Sequence, residues 1–316
     1  MEENILNRII KNWNKIDQEV KSRIASVPRL LMLEVTNACN LKCKMCGNRN
    51  MKRPRGMMCL DLGKRAICEA AKIGIQEVAL YTTGEPLLYP HLDQLIITAK
   101  EKNMYCFLTS NGMLLNKELA KMLCKSGLDS FKFSIDATSK EEYESIREGG
   151  IFENLINNVK LLHETRNRLG SKLKIICGMV LMERNQKHLS EFRALFEPIA
   201  DDILISKVTN QGGRYKDTQG ITSHDTKISR PCRLLWDRII INYDGKITAC
   251  CVDFDADLVY ADYNNSTLIE AWNNEIMQTW RQNHLKGRIG SMPLCRKCDA
   301  IYVFEAENLR KIAYKS

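Results

Sequence analysis

The sequence predicts an α/β fold: a partial, TIM-like (β/α)6 barrel followed by a smaller α+β extension at the C-terminus. Three observations predict it. Short apolar runs alternate with amphipathic helical stretches from Leu30 onward, the order that βα units produce and that yields a parallel sheet covered by helices. The runs number six, fewer than the eight of a closed barrel, so an open, curved sheet is expected. Past Gly212-Gly213 the pattern gives way to a polar, loop-like stretch at 216–229, a hairpin pattern and a distal Cys-x2-Cys.

Residues 4–24 carry Ile5, Ile9, Ile10, Trp13, Ile16 and Val20 near helical spacing, which predicts an amphipathic helix packed on the domain and ended by Pro28. Strands are expected at 30–36, 76–82, 104–110, 129–135, 173–182 and 203–207, and helices at 60–73, 91–102, 116–126, 151–168 and 187–198. In the extension, two apolar runs flank Asp244-Gly245 and read as a β-hairpin. Residues 266–284 read as helical. The expected division is an N-terminal helix over 1–28, a core over 29–212 and an auxiliary domain over 213–316.

The length suits one large domain or two smaller ones. Thirteen cysteines in a chain this long, with a charged N-terminus and no apolar segment of a signal peptide, point to metal or catalysis rather than disulfides. No apolar run approaches the ~18 residues that span a bilayer, so a reducing, cytoplasmic location without membrane contact is expected. The net charge of +9 is spread along the chain. Its one compact basic spot, Lys52, Arg53 and Arg55, reads either as solvated surface or as a site for a phosphate or carboxylate. A basic stripe interleaved with aromatics is missing, which argues against a nucleic-acid partner.

The stretch that organises the chain is Cys39-Asn-Leu-Lys-Cys43-Lys-Met45-Cys46, directly after the first strand. Three thiolates on so short a loop can turn toward one point and suit zinc or an iron–sulfur centre. A [4Fe–4S] cube usually takes four cysteines, so three would leave one iron open to a non-protein ligand. This C-x3-C-x2-C pattern resembles the signature of the radical S-adenosylmethionine (radical SAM) enzymes. The resemblance implies that the open iron is chelated by SAM, that an electron from the reduced cluster breaks a C–S bond of SAM, and that the 5′-deoxyadenosyl radical takes a hydrogen atom from substrate. A flavodoxin- or ferredoxin-type protein would be the electron donor.

Further motifs fall after successive strands, where barrel-type sheets carry their chemistry. Tyr81-Thr82-Thr83-Gly84-Glu85-Pro86 resembles the family's Gly-Gly-Glu-Pro motif for the SAM amino group, with Thr83 in place of the first glycine. Ser110 and Asn111, in Thr-Ser-Asn-Gly112, read as a turn or as polar contacts near SAM. Ser134 and Asp136 are similar to the family's Ser-x-Asp strand end and would meet the SAM ribose or carboxylate. Arg147 resembles an arginine that pairs with the SAM carboxylate, a task suited to a guanidinium. Met45 and, more weakly, Asn185 complete the SAM set.

A second set comprises Cys232, Cys250 with Cys251, and Cys295-x2-Cys298. Four of these could bind zinc or a cluster. The spacing through Gly245 looks like the SPASM/twitch extension, and four or five cysteines imply its shorter form, with a single auxiliary [4Fe–4S] cluster on Cys232, Cys250, Cys295 and Cys298. Cys251 is then either a small core residue or a hydrogen-atom donor. Cys59, Cys68, Cys106, Cys124 and Cys177 read as core cysteines. Tyr81, Arg214, Tyr215, Asp253 and Asp255 are possible pocket residues.

Fewer than about thirty residues precede the core, too few for a leader-peptide domain of the usual size. The expected reaction is therefore dehydrogenation or epimerisation of a small polar substrate such as a sugar or aminocyclitol. A peptide- or protein-modifying maturase and a non-catalytic iron–sulfur or zinc protein are the alternatives.

Overall fold

A computed structural model describes residues 5–22, 26–215 and 231–299. The polar stretch expected at 216–229 lies outside the described residues. Helix α1 (Ile5–Ser22) precedes β1 (Leu30–Leu33), and then strands and helices alternate: α2 (Leu60–Lys72), β2 (Glu77–Ala79), α3 (Leu92–Glu101), β3 (Tyr105–Ser110), α4 (Lys117–Lys125) and β4 (Ser130–Ser134). Helices α5 (Lys140–Ile146) and α6 (Phe152–Leu169), β5 (Lys174–Leu181), α7 (Leu189–Phe196) and β6 (Asp202–Lys207) complete the core. The extension holds α8 (Leu234–Asp237), β7 (Arg238–Ile241), β8 (Lys246–Thr248), β9 (Val259–Asp262), α9 (Leu268–Asn273) and α10 (Glu275–Leu285).

All six expected strands and all five expected core helices form. Helix α5 has no counterpart in the sequence reading. It is a short, acidic helix that Ser139 starts by capping Glu142. The single helix expected at 266–284 is two. Thr267 opens α9 with a capping box, and Asn274, extended in the backbone (ψ 161°), caps α10 at Met277. A cap in mid-segment breaks a helix because its backbone is not helical, whatever the apolar spacing around it.

Every strand joins one sheet in the order β6-β5-β4-β3-β2-β1-β7-β8-β9. Pairing is parallel from β6 through β7, then antiparallel for β8 and β9. The expected hairpin thus does not stand apart: β7 pairs with β1 from Leu30↔Arg238 to Leu33↔Ile241, so the extension continues the core sheet. Strand periodicity sorts the side chains. Leu31, Leu33, Val78, Leu108, Phe131, Phe133, Ile239 and Ile241 face the helices in the main core. Leu30, Met32, Ala79 and Ile240 face the opposite way, into the barrel lumen, with Tyr81, Phe107 and Cys251 against them. Helix α1 lies at the lower end of the lumen, where Arg8, Asn12 and Trp13 help line a cavity of about 240 Å³.

Candidate functional site

The chain leaves β1 into the Cys39–Cys46 loop. Leu41, Cys43 and Met45 are buried with Ile146, Met182 and Val208, which anchors alternate residues of the loop. Its backbone pairs with the segment around the end of α5, Lys42 N–H to Glu148 O at 2.9 Å and Lys44 N–H to Ile146 O at 2.9 Å. Burial pushes the Cys39 thiol up to about 11 and raises Cys43 and Cys46 as well, while the Arg147 charge opposes the rise at the latter two. Such a set needs an added cation to hold it as thiolates.

The Thr83–Pro86 turn sits against this loop. A Cβ at Gly84 would lie 2.2 Å from Thr36 O and 2.7 Å from Ala38 O, so the backbone approaches this closely only with glycine. Glu85 N–H donates to Ala38 O at 2.8 Å. The buried Glu85 carboxylate accepts from Ser110 Oγ at 2.7 Å, Asn111 N–H at 2.8 Å and Leu87 N–H at 3.0 Å. Ser110 and the Asn111 backbone therefore fix Glu85, and the Asn111 side chain donates to Asn40 Oδ1 at 2.9 Å. Thr83 replaces glycine for a visible reason: its hydroxyl bonds the buried carboxylate of Glu34, which also takes Arg53 at 2.7 Å and Tyr243 N–H at 3.2 Å. Thr82 Oγ1, in the same turn, is buried with no partner among the described residues.

At the end of β4, Asp136 adopts φ +73°, uncommon for a residue with a side chain. Val180 N–H donates to its Oδ1 at 2.7 Å, and Asn185 Nδ2 donates to its carbonyl at 2.8 Å. Its Oδ2 takes Arg147 Nη2 at 2.5 Å. Arg147 Nε donates to Ile135 O at 3.2 Å, and Nη1 lies 3.6 Å from Cys43 Sγ. Asp136 and Arg147 thus hold each other, and the guanidinium faces a cysteine. Ser134 ends the same strand, and Asn185 braces the turn.

The second cysteines also meet. Cys232, Cys250, Cys251, Cys295 and Cys298 line one cavity of about 60 Å³, otherwise mainly apolar. Burial pushes Cys232 up to about 12 and raises Cys295. Cys250 and Cys251 interact as a pair: their shared hydrogen bond raises Cys250 and lowers Cys251, and the Arg238 charge lowers Cys251 further. His284 lines the cavity too. Its Nδ1 accepts from Cys232 N–H at 3.2 Å, and its buried Nε2 has no partner among the described residues. Among the described residues no three His, Cys, Asp or Glu side chains form a group that could hold one metal ion. The soft thiolate donors of both sets are of the kind that holds zinc or an iron–sulfur cluster.

Other expectations fare differently. In the basic spot Lys52 and Arg55 are exposed, as the solvated-surface reading expects, while Arg53 is half-buried, and both arginines are already engaged. Arg53 is spent on Glu34 and Phe254 O, and Arg55 on Asn37 O and Asn48. Lys52 lines a cavity with Lys44, Arg214, Tyr215, Asp255 and Asp257 beside Cys46. Within it Arg214 pairs with Asp255 at 2.7 Å. Asp253 is a turn brace, accepting from Thr248 Oγ1 at 2.6 Å and Leu258 N–H at 2.8 Å, and Tyr81 lines the lumen. Cys106, Cys124 and Cys177 are core, but Cys68 is half-buried and Cys59 is exposed, because it occupies the N-cap of α2 rather than its apolar face. Sequence reasoning missed Glu34, Lys132, Arg238 and His284. A charged residue inside an apolar strand is the signal that could have found the first three.

Comparison with known proteins agrees with this geometry. The Radical SAM superfamily profile matches residues 33–192, and an iron–sulfur cluster-binding SPASM domain matches residues 232–299. The AdoMet-dependent heme synthase of Methanosarcina barkeri is 29% identical over 45% of this chain and 41% of that protein. The tungsten-containing aldehyde ferredoxin oxidoreductase cofactor-modifying protein of Pyrococcus furiosus is 28% identical over 57% and 51%. The chain thus spans about half the length of these two relatives. The PqqA peptide cyclase of Gluconobacter oxydans is 21% identical over 87% of this chain and 84% of that one. Among solved structures, BtrN in complex with AdoMet and 2-DOIA has a TM-score of 0.64 at 18% identity, covering 90% of this chain and 98% of that one. Streptococcus suis SuiB bound to precursor peptide SuiA has 0.66 at 17%, covering 85% and 70%. Among the described residues no helix is long and apolar enough to cross a membrane. With the profile match covering half of its length, the chain belongs to the Radical SAM superfamily, as a SAM- and [4Fe–4S]-dependent enzyme with a C-terminal SPASM iron–sulfur domain.

Proposed function

We propose that this enzyme dehydrogenates or epimerises a small polar substrate of the sugar or aminocyclitol type at a hydroxyl-bearing carbon. The observation that carries the reading is the lumen cavity. It lies inside the barrel with α1 across its lower end, and its size, about 240 Å³, suits a small molecule, whereas a peptide would need the wider cleft of about 650 Å³ that Lys44, Ile146, Met182 and Tyr215 line beside the cysteine loop. The match to BtrN, whose structure holds AdoMet and 2-DOIA and of which this chain covers 98%, supports the same reading.

Cys39, Cys43 and Cys46 would hold the SAM-binding cluster, and Cys232, Cys250, Cys295 and Cys298 a single auxiliary [4Fe–4S] cluster. When bound, the first cluster with SAM supplies the radical that removes the substrate hydrogen. The protein's own residues position and exclude. Gly84 brings the turn backbone close to the cysteine loop, and Ser110, Asn111 N–H and Leu87 N–H lock Glu85. Asp136 aims the Arg147 guanidinium at Cys43, where it would meet the SAM carboxylate. Tyr81, Phe107 and Cys251 form the lumen wall toward the auxiliary cysteines. With Cys250 committed to the cluster, Cys251 as the thiol would be the hydrogen donor, the role an epimerase needs. A flavodoxin- or ferredoxin-type protein would deliver electrons.

Iron and sulfide analysis after anaerobic reconstitution tests the ligand sets. About eight irons are expected in the wild type and about four in the Cys39/Cys43/Cys46→Ala triple variant. Carbon-deuterated sugars and aminocyclitols are then incubated with enzyme, SAM and reductant. Deuterium arriving in 5′-deoxyadenosine from one of them supports the reading; transfer from deuterated peptides alone overturns it in favour of a maturase.

A further inference from the structure

Strand β4 alternates Phe131 and Phe133 toward the helices with Ser130 and Lys132 toward the lumen cavity. The Lys132 stem runs past Gly178 on β5: a Cβ there would meet Lys132 Cδ at 3.3 Å and Cγ at 3.5 Å. Gly178 pairs with Ser134, nearer the C-terminal end of the sheet, so the amine rises toward the cysteine loop. Among the described residues it has no hydrogen-bond or ion-pair partner.

The surrounding charges do not supply one. Glu77 is taken by Arg8 at 2.5 Å and by Arg29. Asp237 is taken by Arg29 at 2.9 Å and by Arg238 at 2.5 Å. Asp136, the nearest carboxylate toward the cysteines, is spent on Arg147 and Val180 N–H. Arg8, Arg29, Arg238 and Lys132 thus stand against Glu77 and Asp237 in and beside one cavity, an excess of positive charge. Lys132 is half-buried against the cavity; a charge drawn partly out of water without a partner is disfavoured, and desolvation there holds the amine below its usual range.

We propose that Lys132 anchors an oxyanion, a carboxylate or phosphate, carried by the small substrate inside the lumen. This rests on the small-molecule reading above and narrows it. A sugar acid or sugar phosphate satisfies the cavity's charge, whereas a substrate whose only charge is an ammonium meets like charge there. Lys132 binds and orients; it is a member of neither cysteine set.

The test is calorimetric titration of the iron-loaded enzyme with SAM present, using D-glucuronate, D-glucose 6-phosphate, D-glucose and D-glucosamine. At least one anionic probe is expected to bind tenfold or more tighter than glucose, and glucosamine least. Lys132→Met should bring the anion down to the glucose level, while its urea midpoint stays level or rises because a half-buried, unpartnered charge is gone. Equal binding of anion and glucose, no binding of either anion, a preference for glucosamine, or an anion preference that survives in Lys132→Met overturns the proposal. So does a lowered urea midpoint in Lys132→Met, which would mean that the amine serves the fold. Reductive cleavage of SAM by the wild type is measured alongside. Its failure removes the radical reading itself, whereas cleavage without anion preference removes only the role of Lys132.

Discussion

Gly84 lies under two carbonyl oxygens that leave no room for a side chain. Gly84→Ala should therefore displace the turn that carries Glu85 from the cysteine loop. SAM cleavage is expected to fall a hundredfold or more, about 3 kcal/mol in transition-state terms, with iron content held, as product and iron analysis would show. Arg147 and Asp136 form a buried pair. Arg147→Met strands the carboxylate beside Cys43 and should cost about 3–5 kcal/mol, whereas the double variant Asp136→Asn/Arg147→Met recovers part of it. Urea unfolding of the four members of that cycle measures the coupling; additive losses would refute the pair. His284 acts from the other cysteine set. Its Nδ1 takes the Cys232 N–H, so Nε2 carries the proton and can donate into the cavity. His284→Phe should keep the iron count but shift the auxiliary cluster's midpoint potential, read by EPR during redox titration. At this scale the motif residues were legible because their spacing is local. Lys132 and His284 were not, since a lone polar residue in an apolar stretch acquires meaning only from what faces it.

At the scale of elements, the extension presses on the cysteine loop. A Cβ at Gly47 would meet Phe254 at 2.6 Å, and Gly56 stands the same way under Tyr243. Gly47→Ala should therefore loosen the first cluster, seen as iron lost from the core site in air-free dialysis, and Phe254→Ala in the same chain should restore it. Retention unchanged in Gly47→Ala would mean that the two surfaces are not coupled. Helix α1 was legible from its apolar spacing, yet its place across the lower end of the lumen was not. Trp13 and Arg8 reach that position only because β1 through β4 curve around them. The break at Asn274 shows the opposite limit. The apolar pattern runs on through it, and a cap residue whose side chain also bonds Tyr260 O at 2.7 Å decides the matter.

For the whole molecule, the pairing of β7 with β1 makes core and extension one sheet. Arg29 at the start of β1 ties Glu77 on β2 to Asp237 at the end of α8. The metal-free chain is therefore expected to unfold in one cooperative step, with circular dichroism and tryptophan fluorescence transitions coinciding in urea. Two separated transitions would show that the boundary expected near residue 212 divides independent folding units.

The sequence by itself determined the order of elements, the two cysteine sets and the strand-end motifs. Each is set by spacing within a few residues, and local sterics and ligand chemistry act at that range. Only the tertiary structure decided which carboxylates were already taken, that one sheet joins both cysteine sets, and that a lysine faces the lumen without a partner. Those facts depend on groups brought together across more than a hundred residues, Arg29 with Asp237 and Glu34 with Tyr243 among them, and no local pattern encodes which charge meets which in a closed space.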